Sequence, residues 1–308
     1  MDSEILPPDG MPEASGHQPL AYMMGDFLHS PDGRPLRLLA EYLEPLRRFR
    51  RQRIQDTVVF FGSARILSTQ VANQQLDDLA GKIKSNPTDD LHAQHKRAQK
   101  AAEWSRYYED ARELARLHTT WARSLKAPRD RFVVCSGGGP GIMEAANRGA
   151  AEAGGKTIGL NIFLPFEQGS NPYITPELNF TFRYFFMRKF WFAYLAKAMV
   201  VFPGGLGTLD ETFEMLTLVQ TKKLSKQIEV LLYGSEYWNP IINFQPLVDW
   251  GAISEDDLKL FTFVNSPQEA FEELKRRLEP QIQSRHAQEN RAPGIARTRN
   301  APLRKPEV

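Results

Sequence analysis

The sequence predicts an α/β protein: a doubly wound parallel sheet, Rossmann-like, with a helical insertion. Three observations carry that expectation. Short β-rich apolar runs at 57–61, 131–135, 156–162, 198–202, 228–233 and 261–264 alternate with segments of helical period. Two of them lead into glycine clusters that open a helical pattern, Ser136-Gly137-Gly138-Gly139-Pro140-Gly141 and Pro203-Gly204-Gly205-Leu206-Gly207-Thr208. A third ends in Gly62-Ser63-Ala64-Arg65. In a parallel sheet such carboxyl ends share one edge, and ligands bind there.

Taken in order, residues 1–35 are rich in Pro, Gly and polar side chains and read as an irregular arm. Leu36 to Arg53 has the spacing of an amphipathic helix with a basic end, Arg47-Arg48-Phe49-Arg50-Arg51, which can touch phosphates but better suits a solvated terminus or a subunit contact. Together they make an N-terminal arm and helix over 1–54, ahead of a Rossmann-like domain over 55–280. About seventy residues separate the first two strands, far more than a normal crossover needs. Trp104, Tyr107, Tyr108, Ala111, Leu114, Ala115, His118 and Trp121 recur at helical spacing, so Ala101 to Leu125 reads as one long crossover helix. The polar stretch before it, about 68–100, reads as a surface helical insertion. Its His92 and His95 lack a carboxylate or cysteine pattern and are solvated histidines, not metal ligands. Arg183 to Leu195 is apolar on almost every face and reads as a buried helix, whose Arg188 and Lys189 must pair or face a polar cavity. From about 281 to 308, Arg, Gln, Asn and Pro dominate, the composition of a disordered tail.

Composition narrows the function classes. The chain has 308 residues, 42% of them hydrophobic, enough for one large core or two modest ones. A net charge of +2 gives no electrostatic case for nucleic acid or a membrane surface. Cys135 is the single cysteine and falls in a core strand, so it reads as an inert buried thiol in a reducing compartment. No signal-peptide pattern and no bilayer-length apolar run is present, and the expectation is a soluble cytoplasmic protein.

The 203–211 stretch carries the chemistry. Glycines let the backbone approach a phosphate, and the N–H groups of a first helical turn point at it. Thr208 adds a hydroxyl donor and a possible helix cap. Glu211 sits one turn inside the same helix. A plain tight turn, with Asp210 and Glu211 favouring the helix dipole, is the alternative for this loop taken alone. The second glycine cluster fits neither common nucleotide fingerprint: the third glycine of G-x-G-x-x-G would be position 142, which is Ile142, and no G-x-x-x-x-G-K-[ST] occurs. NAD and ATP chemistry are therefore not supported.

Pro203-Gly-Gly-x-Gly-Thr-x-x-Glu211, with Arg188-Lys189 upstream, resembles the LOG ("lonely guy") family of nucleoside 5′-monophosphate phosphoribohydrolases, often mislabelled lysine decarboxylases. Phe61-Gly-Ser-Ala-Arg65, Ser136 to Asn147 and Gly159 to Pro165 match in the same order, and the resemblance covers roughly 57–275. The Gly-Pro-Gly-Ile-Met-Glu variant is closer to longer bacterial members than to cytokinin-releasing plant enzymes. The resemblance implies Arg188 and Glu211 as the catalytic pair and Gly204, Gly205, Gly207 and Thr208 as the phosphate cradle. It implies Gly62, Ser63, Gly138, Gly139, Glu144, Met187 and Lys189 as substrate-binding, although Glu144 can equally be a first-turn acid stabilising its helix. It implies hydrolysis of the N-glycosidic bond of a purine nucleotide such as AMP, no metal or cofactor, and a homodimer or larger assembly. The competing expectation is a non-catalytic carrier or sensor of a phosphorylated ligand, because molybdenum-cofactor carriers resemble this fold and its glycine loops.

Overall fold

The computed structural model describes residues 19–164, 169–221, 223 and 227–291. It divides into two compact units, Met1–Glu44 and Pro45–Val308, with the division inside one helix. In the first unit a 3-10 turn, Ala21–Met23, precedes α1 (Gly25–His29) and the start of α2 (Arg34–Arg51). Arg37 ties the α1–α2 turn together by donating to the carbonyl of Ser30 at 2.8 Å.

The second unit is one parallel sheet with helices between its strands. After the end of α2 come β1 (Asp56–Phe61), α3 (Thr69–Ser85), α4 (Asp89–Trp104), α5 (Arg106–Ser124), β2 (Phe132–Ser136), α6 (Ile142–Glu152) and β3 (Thr157–Ile162). β4 (Asn179–Phe182), α7 (Phe185–Leu195), β5 (Ala196–Val201), α8 (Leu206–Gln220) and β6 (Glu229–Tyr233) follow. The chain then runs through α9 (Ser235–Ile241), α10 (Gln245–Asp249), β7 (Phe261–Val264) and α11 (Pro267–Arg291). All pairings are parallel, in the order β4-β3-β2-β1-β5-β6-β7. The chain winds outward from β1 to β4, then returns to the other side of β1 with β5. The β1–β5 junction is thus the switch point, where the loops leaving the strands diverge and open a crevice.

Alternation within the strands serves two apolar layers. Val58, Phe60, Phe132, Val134, Ala198, Val200 and Leu231 face α5, α6 and α11, joining Tyr107, Leu114, Ile142, Ala145 and Leu274 in one core. The opposite residues meet α2 and α7. Phe61 lies edge-on to Phe192 at 4.8 Å, and Phe49 packs between Phe180 (4.8 Å) and Trp191 (5.2 Å). The basic end of α2 is used in packing as well: Arg48 sits 3.9 Å over the Phe180 ring and donates to the Asn179 carbonyl. Arg53, just past α2, has φ 58°, the only positive value at a non-glycine residue among those described.

Several expectations are corrected. The sequence reading has no strand at 179–182, yet Asn-Phe-Thr-Phe forms the β4 edge, with Phe180 and Phe182 inward. The 101–125 crossover is not one helix. α4 ends at Trp104 and α5 begins at Arg106, with Ser105 between them buried and donating to the Ala102 carbonyl at 2.7 Å. The 68–100 insertion forms helices α3 and α4, which bury only Ala72 and Ala98. The helix expected at 183–195 is not buried throughout: Phe185, Phe186, Phe190 and Tyr194 are 37–53% exposed. α11 continues to Arg291, beyond the position at which the sequence suggests a tail, and 292–308 lie outside the described residues. Cys135 is buried, with its thiol pKa pushed up by burial, as an inert core thiol requires.

Candidate functional site

The loops after β1, β2 and β5 are joined by backbone hydrogen bonds. The Ser63 N–H donates to the Pro203 carbonyl (2.9 Å), and the Ser63 carbonyl accepts from the Ile142 N–H (3.1 Å). The Gly62 Cα packs against Ile142, where an added Cβ would overlap that side chain. Three sequence-distant glycine segments therefore form one rigid edge at the switch point.

At the centre is the start of α8. Gly205 is its N-cap residue and no side chain caps the helix, so the first-turn N–H groups of Leu206, Gly207 and Thr208 have no intrahelical partner. Thr208 does not cap the helix as expected; it is the third helical residue, buried, with its side chain against Gly204. A Cβ at Gly204 would overlap Thr208, whereas Gly205 and Gly207 face open space. The Gly204 carbonyl is fixed by the Tyr237 hydroxyl at 2.8 Å. This is the geometry of an anion site: bare N–H groups, positive helix end, no side chain in the way.

Glu211 sits on the next turn, 6% exposed. The Arg188 Nη2 donates to its Oε1 at 3.3 Å, and the Arg188 guanidinium lies over Phe185 (5.2 Å) and Phe192 (5.8 Å). Loss of hydration raises the Glu211 pKa from 4.5 to about 7; Arg188 and Lys189 oppose the rise, and Glu214 and Asp210 reinforce it. Lys189 is held by α8, bridging Asp210 (2.7 Å) and Glu214 (2.9 Å), so its charge clamps α7 to α8. Met187 is half-buried beside Arg188.

The β2 loop is shaped by residues outside the predicted set. Gly138 has φ 77° and Gly141 φ 69°, which a side chain would strain. Asn171, only 8% exposed, donates from Nδ2 to the carbonyls of Gly138 and Gly139 (both 3.0 Å) and to Asn147 Oδ1 (2.9 Å), and its Oδ1 accepts from the Tyr173 N–H (3.2 Å). Ser136 donates to Asn147 Oδ1 at 2.7 Å and accepts from the Gly138 N–H at 3.0 Å. Asn161 packs against Gly138 and is anchored to Asn179 Oδ1 (2.7 Å) and the Phe180 carbonyl (2.8 Å). Asn147 and Asn161 stand in the matching motifs, but Asn171 and Tyr237 were missed; the Asn171-Pro172 dipeptide signals only a turn. Glu144 accepts from the Tyr108 hydroxyl at 2.7 Å, which ties α6 to α5. No group of three or more His, Cys, Asp or Glu residues suited to a metal occurs among the described residues. Likewise no described helix is long and apolar enough to cross a membrane.

A family model described as "possible lysine decarboxylase" matches residues 143–274, the stretch holding Arg188 and Glu211. A cytokinin riboside 5′-monophosphate phosphoribohydrolase of Rhodococcoides fascians is 30% identical over 114 residues, 36% of this chain and 56% of the relative. The chain thus spans little more than half the length of that curated relative. Among solved structures, the molybdenum cofactor carrier protein of Chlamydomonas reinhardtii is 17% identical with a TM-score of 0.42, covering 73% of this chain and 99% of its own. The molybdenum cofactor binding protein of Rippkaea orientalis is 20% identical with a TM-score of 0.40, covering 55% and 86%. The segment similar to that family model carries the paired Arg188 and Glu211 and the uncapped glycine turn between them.

Proposed function

We propose that the chain hydrolyses the N-glycosidic bond of a purine nucleoside 5′-monophosphate, AMP or a close relative, releasing free base and ribose 5-phosphate. The observation that carries the reading is buried Glu211, paired with half-buried Arg188, one helical turn from the uncapped start of α8. The 5′-phosphate would lie on the N–H groups of Leu206, Gly207 and Thr208, with the Thr208 hydroxyl beside them. That anchor holds the ribose over α8 and supplies orientation from a part of the substrate that does not react.

Breaking the bond between the sugar carbon and the base nitrogen builds positive charge on the sugar. The Glu211 carboxylate stabilises that charge and takes a proton from the attacking water; the electron pair of the broken bond leaves with the base, which is protonated on departure. A pKa of about 7 suits a group that must accept a proton near neutral pH. Arg188 positions the carboxylate and favours its ionised form. Lys189, through Asp210 and Glu214, fixes the register of α7 on α8.

The assignment extends to Gly62, Ser63, Gly138, Gly139, Glu144 and Met187 as the surround of the base and ribose. The protein works as a homo-oligomer in the cytoplasm, without metal or cofactor. The test is incubation with AMP followed by chromatography for adenine. Adenine release that is lost on Glu211→Gln supports the reading; AMP binding without adenine release replaces it with the carrier alternative.

A further inference from the structure

A cavity of about 490 Å³ lies at the sheet edge opposite the glycine loops, where β1, β2 and β3 begin and α5 and α6 end. Arg51, Arg53, Arg123, Arg131 and Lys156 all line it, and no Asp or Glu does. None of the five forms an ion pair among the described residues. Lys156 Nζ donates to the Gln52 carbonyl (3.1 Å) and Oε1 (2.8 Å), and Arg123 Nη1 to the Ala153 carbonyl (2.5 Å). Those bonds place the two cations and leave their charge uncompensated.

A helix carbonyl end attracts cations without any ligand, so that explanation must be weighed. The C-termini of α2, α5 and α6 contribute about −0.5 each. Even adding the buried Asp56 and Asp130, which supply no lining atom, the cavity stays positive by roughly one and a half charges. Two further features point to a ligand. Arg131 Nε is buried with no hydrogen-bond partner among the described residues. Arg53 holds a left-handed φ of 58° that glycine would adopt without strain, and this conformation sets a fifth cation on the rim. The volume falls in the range of small-molecule sites, about 300–1,000 Å³. A single phosphate satisfies two or three cationic side chains, whereas five call for a chain of phosphates.

We propose that this amino-edge cavity binds a small polyphosphorylated ligand, at a site separate from Arg188 and Glu211. The inference does not depend on the reaction proposed above.

Calorimetry of the full chain with inorganic tripolyphosphate tests it. The native protein should bind tripolyphosphate more tightly than orthophosphate. Arg53→Gly and Lys156→Gln should each weaken binding roughly tenfold. Both should keep the native melting temperature, because glycine fits the Arg53 backbone and Lys156 lies at the surface. Arg188→Ala should leave tripolyphosphate binding unchanged. The proposal is overturned by no binding, by equal affinity for orthophosphate, by pocket variants that bind normally, or by loss in Arg188→Ala instead. Binding of a single-stranded RNA oligomer in preference to tripolyphosphate would also overturn it, marking a nucleic-acid surface.

Discussion

Replacing Glu211 by Gln should make the protein inactive and, above neutral pH, more stable. Burial lifts the Glu211 pKa from 4.5 to about 7, a net figure that already includes the attraction of Arg188. A folded-state pKa above the unfolded one means that ionisation opposes folding. The penalty is absent below pH 4.5, grows between pH 4.5 and 7, and is constant above. At 1.36 kcal/mol per pH unit it reaches about 3 kcal/mol. Glutamine has nearly the same shape and cannot ionise, so it removes that penalty. For a domain of this size the melting temperature should rise by about 5–10 °C at pH 8 and change little at pH 5. Base release should fall by at least about a hundredfold, the usual contribution of a positioned base. Thermal denaturation at the two pH values, alongside adenine release from AMP, measures both. A variant less stable at pH 8 than the parent would refute the burial argument; near-native turnover would refute the catalytic assignment.

Other outcomes follow from the same geometry. AMP should exceed adenosine in kcat/KM by about a thousandfold, since the nucleoside forfeits the charge-assisted bonds at α8; equal values would remove the phosphate role of Gly204 to Thr208. Gly204→Ala should cost about 1–3 kcal/mol and most of the activity by displacing Thr208, as denaturant melts and steady-state rates would reveal. Fully buried His118, with Nε2 2.7 Å from the Phe132 carbonyl and its pKa lowered to about 4, should cost stability as pH falls from 6.5 to 4, by up to about 3 kcal/mol. His118→Gln should flatten that acid limb, and an unchanged limb would place the titration elsewhere. Light scattering should give a multiple of 35.1 kDa that Phe186→Glu reduces, because Phe186 and Phe190 lie exposed on α7; a fully active 35.1 kDa species would exclude the assembly.

Where the chain announces its structure locally, the sequence is a sufficient guide. The apolar runs that become β1, β2, β3, β5 and β6 have glycines close to one end, β7 ends before Asn265-Ser266-Pro267, and their alternation with helical segments points to a parallel sheet. β4 escaped because four residues of alternating Asn-Phe-Thr-Phe, following Pro176, are too short to stand out from a loop. The break at Ser105 escaped because the helical spacing of Trp104, Tyr107 and Tyr108 runs across it unchanged. The apolar spacing on α5 also gives no hint of what covers it: Tyr107, Leu114, Ala115 and His118 are all buried, the first three in the core shared with α6 and α11. At the candidate site, Arg188 and Glu211, the pair that the resemblance implies, lie 3.3 Å apart. Motif spacing could not reveal that Lys189 is committed to Asp210 and Glu214, nor that Asn171 holds the β2 loop. Those are partnerships between distant segments, written in no local pattern.

The position of β1 has a consequence for synthesis. Its six residues are all buried, and one of its two neighbours, β5, is made long after the other. A chain emerging from the ribosome can pair β1 with β2 at once, but the opposite edge stays bare until residue 201 is out. At about 5–20 residues per second, roughly 3–13 seconds separate the two events. During that interval a strand that ends up wholly buried offers unpaired N–H and C=O groups to any other nascent chain. A chaperone that recognises extended apolar segments should therefore engage Thr57 to Phe61 co-translationally, and release should coincide with the arrival of β5.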